Sequence, residues 1–246
     1  MAVQFAFIIE DVKAKAKTRW YYDRFPKPVV KAFTLAEILL TLTIIAVVAS
    51  LTIPALVQSE QQAYFNTGVW NAYSMLSQTL ISIQTSGGLV HTGNNDNGVG
   101  LRNDFCNVMQ CVQIDTSANI FGPTNYLFYK GGTTGWPGAD SAPAVKLNNG
   151  SYIRFASMNG CANNNYGSVT NICGWMTIDI NGSQGPNMAG ADWFSFWLVL
   201  NNGAYSIVPE GASDTYICSN NYGVGGSWGN SNGCTYQRLY NPNNMP

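Results

Sequence analysis

The chain has a single histidine, His91, in 246 residues, and only 10% of its side chains carry charge. It contains no HExxH run and no phosphate-binding GxxxxGK[ST] loop. Those motifs each place a metal pair or a phosphate cradle at a fixed spacing. Without them the sequence offers little to a catalytic reading. There is also no CxxC pair, so the six cysteines do not have the spacing of a structural zinc centre. A third absence is the most informative. Between Ile38 and Ser59 there is no charged side chain, only Leu, Ile, Val and Ala with a few Thr, Ser and other uncharged residues. About 20 such residues in a helix span the ~30 Å hydrocarbon core of a bilayer.

What charge there is falls unevenly. Residues 1–32 hold seven of the twelve basic residues against three acidic ones, a net of +4. Residues 33–246 hold five basic and ten acidic residues, a net of −5. The positive-inside rule then places residues 1–32 in the cytoplasm and the chain beyond the apolar run outside. No basic patch remains after residue 32, which argues against electrostatically driven nucleic-acid binding.

Glu37 stands at the front edge of the apolar run, and Pro54 falls within it. Two physical readings of Glu37 stay open. Thr34-Leu35-Ala36-Glu37 fits a capping box, in which the Glu side chain reaches back to the first turn. Alternatively, an acid at the edge of a membrane helix carries function, because carboxylates are expensive there.

The stretch from Lys31 to Glu37 ("KAFTLAE"), followed by the apolar run and Pro54, resembles the class III signal of type IV pilins and of the pseudopilins of type II secretion. The resemblance covers about 25 of the residues. It implies that a prepilin peptidase cuts between Ala32 and Phe33 and that the new amino terminus on Phe33 is N-methylated. Glu37 is then the fifth mature residue and Pro54 the twenty-second, both familiar positions in that family and both assigned to assembly. Ala32 stands where the family usually has Gly. The competing reading is an ordinary secretory signal cut after Val47-Val48-Ala49. It leaves Glu37 at the basic-to-apolar junction without a reason.

After Pro54 the pattern turns one-sided. Val69, Tyr73, Leu76, Leu80 and Ile83 share a helical face, with Gln58, Glu60, Gln61, Asn66, Asn71 and Gln78 off it. The spacing predicts one helix from about Thr34 to about Ser86, bent or locally melted at Pro54 and ended by Gly87-Gly88. Beyond it, "AVKLNNGSYIRF" (144–155) and "WLVLNNGAYSIV" (197–208) are near-repeats in which Asn-Gly joins two apolar runs, the strongest short hairpin signal. Further strands are expected at 174–180 and 193–200, with no helical crossover between strands, so the sheet should be antiparallel.

The expected fold is therefore α+β: a long N-terminal helix, membrane-spanning in its first half and packed through its second half on an antiparallel, pilin-like head with disulfide-stapled loops. The expected divisions are a removed leader (1–32), a membrane or filament-core helix (33–58), its amphipathic continuation (59–86) and the head (87–246). Cys106, Cys111, Cys161, Cys173, Cys218 and Cys234 lie outside the membrane by this topology, where disulfides are permitted. Six cysteines allow 15 connectivities. Local pairs (106–111, 161–173, 218–234) are expected, each closing a short Asn/Gly-rich loop. The last of these loops also resembles the disulfide-bounded C-terminal loop of pilins.

In "DINGSQGPNMAGAD" (179–192), Asp179, Asn181, Asn187 and Asp192 are oxygen-bearing side chains along a Gly-rich loop. Calcium is one expectation, since it takes oxygen ligands from flexible loops and similar loops hold it in some pseudopilins. A plain turn cluster is the other. No cofactor is required. The tryptophans Trp136, Trp175, Trp193, Trp197 and Trp228 are either core anchors or a sugar-binding surface.

These readings point to a non-enzymatic subunit of a type IV pilus-like filament. Its partners would be other copies or other pilins, the prepilin peptidase and methylase, and an inner-membrane assembly platform. It would sit first as a single-pass protein of the cytoplasmic membrane and then in an extracellular or periplasmic filament. A membrane-anchored or secreted glycan-binding adhesin is the alternative.

Overall fold

The computed structural model describes residues 33–88, 90–92, 97–115, 125–127, 133–135, 143–158, 160–212 and 234–242. Ala32, the rest of residues 1–32, Cys218, Trp136 and Trp228 lie outside them.

The long apolar helix is present. Helix α1 runs Leu35–Thr85 as one helix with Pro54 inside it. The expected local melting at Pro54 is not observed. Proline forfeits one backbone N–H, and the turns on either side keep theirs. Several hydroxyls in the apolar stretch fold back onto the helix: those of Thr41, Thr43, Ser50 and Thr52 donate to carbonyls three or four residues earlier, at 2.8–3.0 Å. They thereby hide their polarity without any partner outside the helix. At the C-terminal end Gly87 adopts φ 76° and the Gly88 N–H donates to the Ile83 carbonyl at 3.0 Å. This is the glycine-dependent closure expected there.

By contact density the chain divides into two units, residues 1–55 and 56–246. In the first, the described part is helix with its side chains on the outside. In the second, the latter part of α1 supplies a buried stripe: Phe65, Val69, Ala72, Leu76, Thr79, Leu80 and Ile83. Tyr73, expected on the stripe, lies at its edge, partly buried, and stacks on Phe196 with ring centroids 6.1 Å apart.

The head contains helix α2 (Val99–Cys106), strands β1 (Cys111–Asp115), β2 (Asn125–Leu127), β3 (Thr133–Gly135), β4 (Ala144–Leu147), β5 (Tyr152–Ser157), β6 (Ile172–Asp179), β7 (Trp193–Asn201) and β8 (Ala204–Pro209), and helix α3 (Cys234–Tyr240). Six strands form one sheet in the order β1-β4-β5-β6-β7-β8, every pair antiparallel. β2 and β3 form a separate antiparallel pair. One face of the main sheet, including Ile153, Phe155, Met176, Ile178, Phe194 and Phe196, packs in a single cluster with the α1 stripe. The opposite face is also covered: Trp197, Ile172 and Val199 are buried with Met158, Tyr166 and Val169 packed against them. Being buried on both faces, β7 has no clean apolar/polar alternation. Trp193 and Trp197 are core residues, and Trp175 is partly buried.

The two near-repeats form hairpins with different turns. Asn202 (φ 50°) and Gly203 (φ 81°) make a two-residue connection between the paired Asn201 and Ala204. Both central residues have positive φ, which only Asn and Gly adopt readily. In the first repeat the loop is one residue longer. Leu147 N–H donates to Ser151 C=O at 2.9 Å, and only Gly150 has positive φ. The difference lies in the next side chain. Ser151 donates its hydroxyl to Asn149 Oδ1 at 2.6 Å and its N–H to the same oxygen at 3.0 Å. The second repeat has Ala204 at that place and lacks this hydroxyl.

Disulfides join Cys106 to Cys111 and Cys161 to Cys173, two of the expected local pairs. Cys234 is also disulfide-bonded; its expected partner, Cys218, is outside the described residues. At the far side of the sheet, the Gln84 side chain of α1 bonds both backbone groups of Tyr205 in β8. Its Nε2 donates to the Tyr205 carbonyl at 3.2 Å, and its Oε1 accepts the Tyr205 N–H at 2.9 Å.

Candidate functional site

The start of α1 holds the residues to which the sequence gives most weight. Phe33 is 80% exposed. The Thr34 N–H and hydroxyl both donate to Glu37 Oε2, at 2.8 and 2.9 Å, and the Glu37 N–H donates to Thr34 Oγ1 at 3.2 Å. This is a complete reciprocal capping box. In the single chain Glu37 is therefore satisfied by its own helix. From Phe33 to Glu60 every residue is exposed except Ala49, which is half-buried. The exposed set includes Ile38, Leu42, Ile45, Val48, Leu51 and Leu56. Soluble monomers rarely show a contiguous apolar patch of more than a few hundred Å². By length and composition α1 can cross a membrane.

The 179–192 loop is closed by one carboxylate. Asp192 is fully buried; its Oδ2 accepts the Asn187 N–H at 2.7 Å and its Oδ1 accepts the Met188 N–H at 2.6 Å. Burial pushes the Asp192 carboxyl up, opposed by these two N–H groups and the Asn181 side chain. Asp179 Oδ1 accepts the Asn181 N–H at 3.2 Å, and Asn181 Nδ2 donates to the Gly185 carbonyl at 3.2 Å. With its amide turned, Asn187 donates to the carbonyls of Gly182 and Gln184, each at 3.2 Å. The four side chains expected to act together thus share one loop, and each is engaged with loop backbone. A calcium ion would have to exchange the two short bonds of Asp192 for metal contacts. Among the described residues no group of three or more His, Cys, Asp or Glu gathers in metal-binding geometry.

Asp192→Asn keeps the shape but cannot accept two backbone N–H groups. It is expected to cost about 1–3 kcal/mol of stability, the penalty for an orphaned buried donor, measured by thermal melting in EDTA. The pH dependence has an unusual sign for an aspartate. Its folded pKa is raised above 3.8, so its contribution to stability falls as pH rises from 3.8 through the folded value, then levels. Asp192→Asn should remove that slope. A calcium-dependent rise in wild-type Tm that the variant lacks would assign the loop to metal instead.

Two other polar centres were not apparent in the sequence. His91 places its backbone N–H on Asp104 Oδ2 at 2.6 Å and its Nδ1 within 2.7 Å of both Asp104 oxygens, fixing the segment after α1 to α2. Arg238 of α3 is buried. Its Nε donates to the Gly190 carbonyl at 2.8 Å, and its Nη1 donates to Asn66 Oδ1 at 3.1 Å and also to Gln62 Oε1. One guanidinium therefore links α3, the 179–192 loop and α1. Asn66 was legible only as a polar position off the apolar stripe, and Gln62 was not singled out. A buried arginine 172 residues from Asn66 leaves no local pattern.

The fold and the exposed helix define an α+β protein with, among the described residues, one candidate membrane helix and an antiparallel-sheet head. No known family model, no curated protein and no solved structure matches the chain.

Proposed function

We propose that the chain is a structural subunit of a type IV pilus-like filament, either a pilin or a pseudopilin, and not an enzyme. The observation that carries this reading is α1 itself. An apolar helix stands exposed along its first half, with only Ala49 half-buried, carries one acid at its N-terminus, and continues into a disulfide-stapled sheet head. A membrane covers such a helix before assembly, and a bundle of identical helices covers it afterwards. The head stays outside the cytoplasmic membrane throughout, and the filament is extracellular or periplasmic. Peptidase, methylase and assembly platform act on the membrane-held form. The unbroken helix through 47–50 supports this reading over a secretory cut before Ser50.

The test is the mass of the exported protein. The mature chain is expected to begin at N-methyl-Phe33, with residues 1–32 absent, by intact-mass spectrometry of membranes and sheared surface material. A chain beginning at Ser50, or an uncut Met1 form in assembled filaments, would overturn the proposal.

A further inference from the structure

Two adjoining hollows of about 390 and 230 Å³ lie in the head and share Tyr64, Asn149 and Ile180 as walls. Together they form a cleft between the latter part of α1, the β4–β5 turn and the start of the 179–192 loop. Its floor is apolar and built by close approach. A Cβ on Gly68 would lie 2.3 Å from Ile180 Cδ1, so glycine allows the isoleucine to pack directly on the helix backbone. Above the floor, Tyr64 is 53% exposed. The other half of the cleft is polar, with Lys146, Asn149, Ser183 and Gln184 in its lining. Asn181 lines it too, and its Oδ1 is buried with no donor.

The charge of this lining is specific. Among the described lining residues of both hollows there is one cation, Lys146, and no carboxylate. Lys146 Nζ stands 5.7 Å from the Tyr152 ring centroid and has no ion-pair partner among the described residues. The chain beyond residue 32 is acidic overall, so an isolated, unneutralised lysine in a cleft of amides and hydroxyls stands out.

We propose that this cleft binds an acidic saccharide. A pyranose ring offers an apolar C–H face and a rim of hydroxyls. That matches an exposed tyrosine beside an apolar floor, bordered by side chains able to exchange hydrogen bonds with hydroxyls. A uronate carboxylate supplies the charge that Lys146 lacks. The larger hollow falls within the size range of small-ligand sites. The inference is independent of the filament reading: a monomeric head would bind equally well, and failure of either leaves the other standing.

Full-length protein in detergent micelles, titrated calorimetrically with tetragalacturonate and with its fully methyl-esterified form, tests it. The acid is expected to bind, with the neutral ester at least about tenfold weaker, the worth of one charge-assisted contact. Lys146→Gln should bring the two ligands level. Tyr64→Ala, at an exposed position, should weaken both by about tenfold, with circular dichroism confirming an intact fold. Absence of binding by either ligand at millimolar concentration would overturn the proposal. So would equal affinity for acid and ester, or binding unaffected by Tyr64→Ala. Self-association abolished by Tyr64→Ala, without saccharide binding, would assign the cleft to a second copy of the chain and overturn it as well.

Discussion

Glu37→Leu is expected to be exported and cut normally, yet to enter filaments poorly, lowering fibre yield by about tenfold or more relative to membrane-retained subunit. In the proposed membrane-held form the carboxylate lies near the interface. In the proposed bundle of helices it is carried into a low-dielectric setting, where an unpaired carboxylate is costly and one paired with a cation is not. The nearest cation there would be the amine that the proposed cut frees at Phe33, on the same or a neighbouring subunit, and methylation would leave its charge in place. The observed capping box adds a step. Glu37 Oε2 is already held by the Thr34 N–H and hydroxyl, so pairing with a neighbour must share or exchange those bonds. Glu37→Gln separates the two roles. It retains an oxygen acceptor for the cap and loses the charge. If charge governs assembly, Glu37→Gln fails as Glu37→Leu does. If capping governs, Glu37→Gln assembles nearly as well as wild type. The ratio of filament to membrane-retained subunit decides between them, and normal assembly of Glu37→Leu would refute both.

The second large effect falls on Arg238. Arg238→Met preserves much of the buried volume but strands the Gly190 carbonyl and the side-chain oxygens of Gln62 and Asn66. Buried acceptors left without donors cost about 1–3 kcal/mol each, less where a side chain can turn toward water. Gln62 is exposed and can do so; Gly190 is buried. A loss of about 3 kcal/mol is expected, a fall in Tm of roughly 10 °C for a head of this size. Arg238→Lys keeps the charge but not the planar fork, and should fall between. Thermal melting of the full chain in detergent followed by circular dichroism measures both. A change under about 1 kcal/mol for Arg238→Met would show that the guanidinium is not the tie it is taken to be.

The sequence made the largest elements legible because their signals are local and redundant. Val69, Leu76, Leu80 and Ile83 repeat at helical spacing over several turns, Gly87-Gly88 ends the helix, and Asn-Gly marks both hairpins. The pairs 106–111 and 161–173 were readable because each loop is short. The elements that were not read are short and held from outside. Helix α2 is eight residues long and opens on Gly98 without a side-chain cap; it is fixed by burying Leu101 and Phe105 and by the Asp104–His91 contact. Helix α3 is seven residues long and is anchored by Arg238 and by Thr235, whose hydroxyl oxygen accepts the Ser195 N–H at 2.9 Å. β1 carries a register shift that blurs its alternation. At the candidate sites, spacing identified the Thr34–Glu37 box and the 179–192 loop, but whether an oxygen in that loop faces an ion or a backbone N–H depends on coordinates.

The contact between Gln84 and Tyr205 has a consequence for solubility at high local concentration. β8 is a terminal strand of the six-stranded sheet, and such strands present free N–H and C=O groups on which another chain can add a strand. The Gln84 amide occupies both groups of Tyr205, imitating a neighbouring strand for the length of one residue. In the proposed filament, subunits would be crowded together for the polymer's whole lifetime, where an open β-edge invites sheet-to-sheet fusion in place of ordered packing. By occupying Tyr205, one glutamine near the end of the long helix leaves that position of the edge unavailable to an added strand.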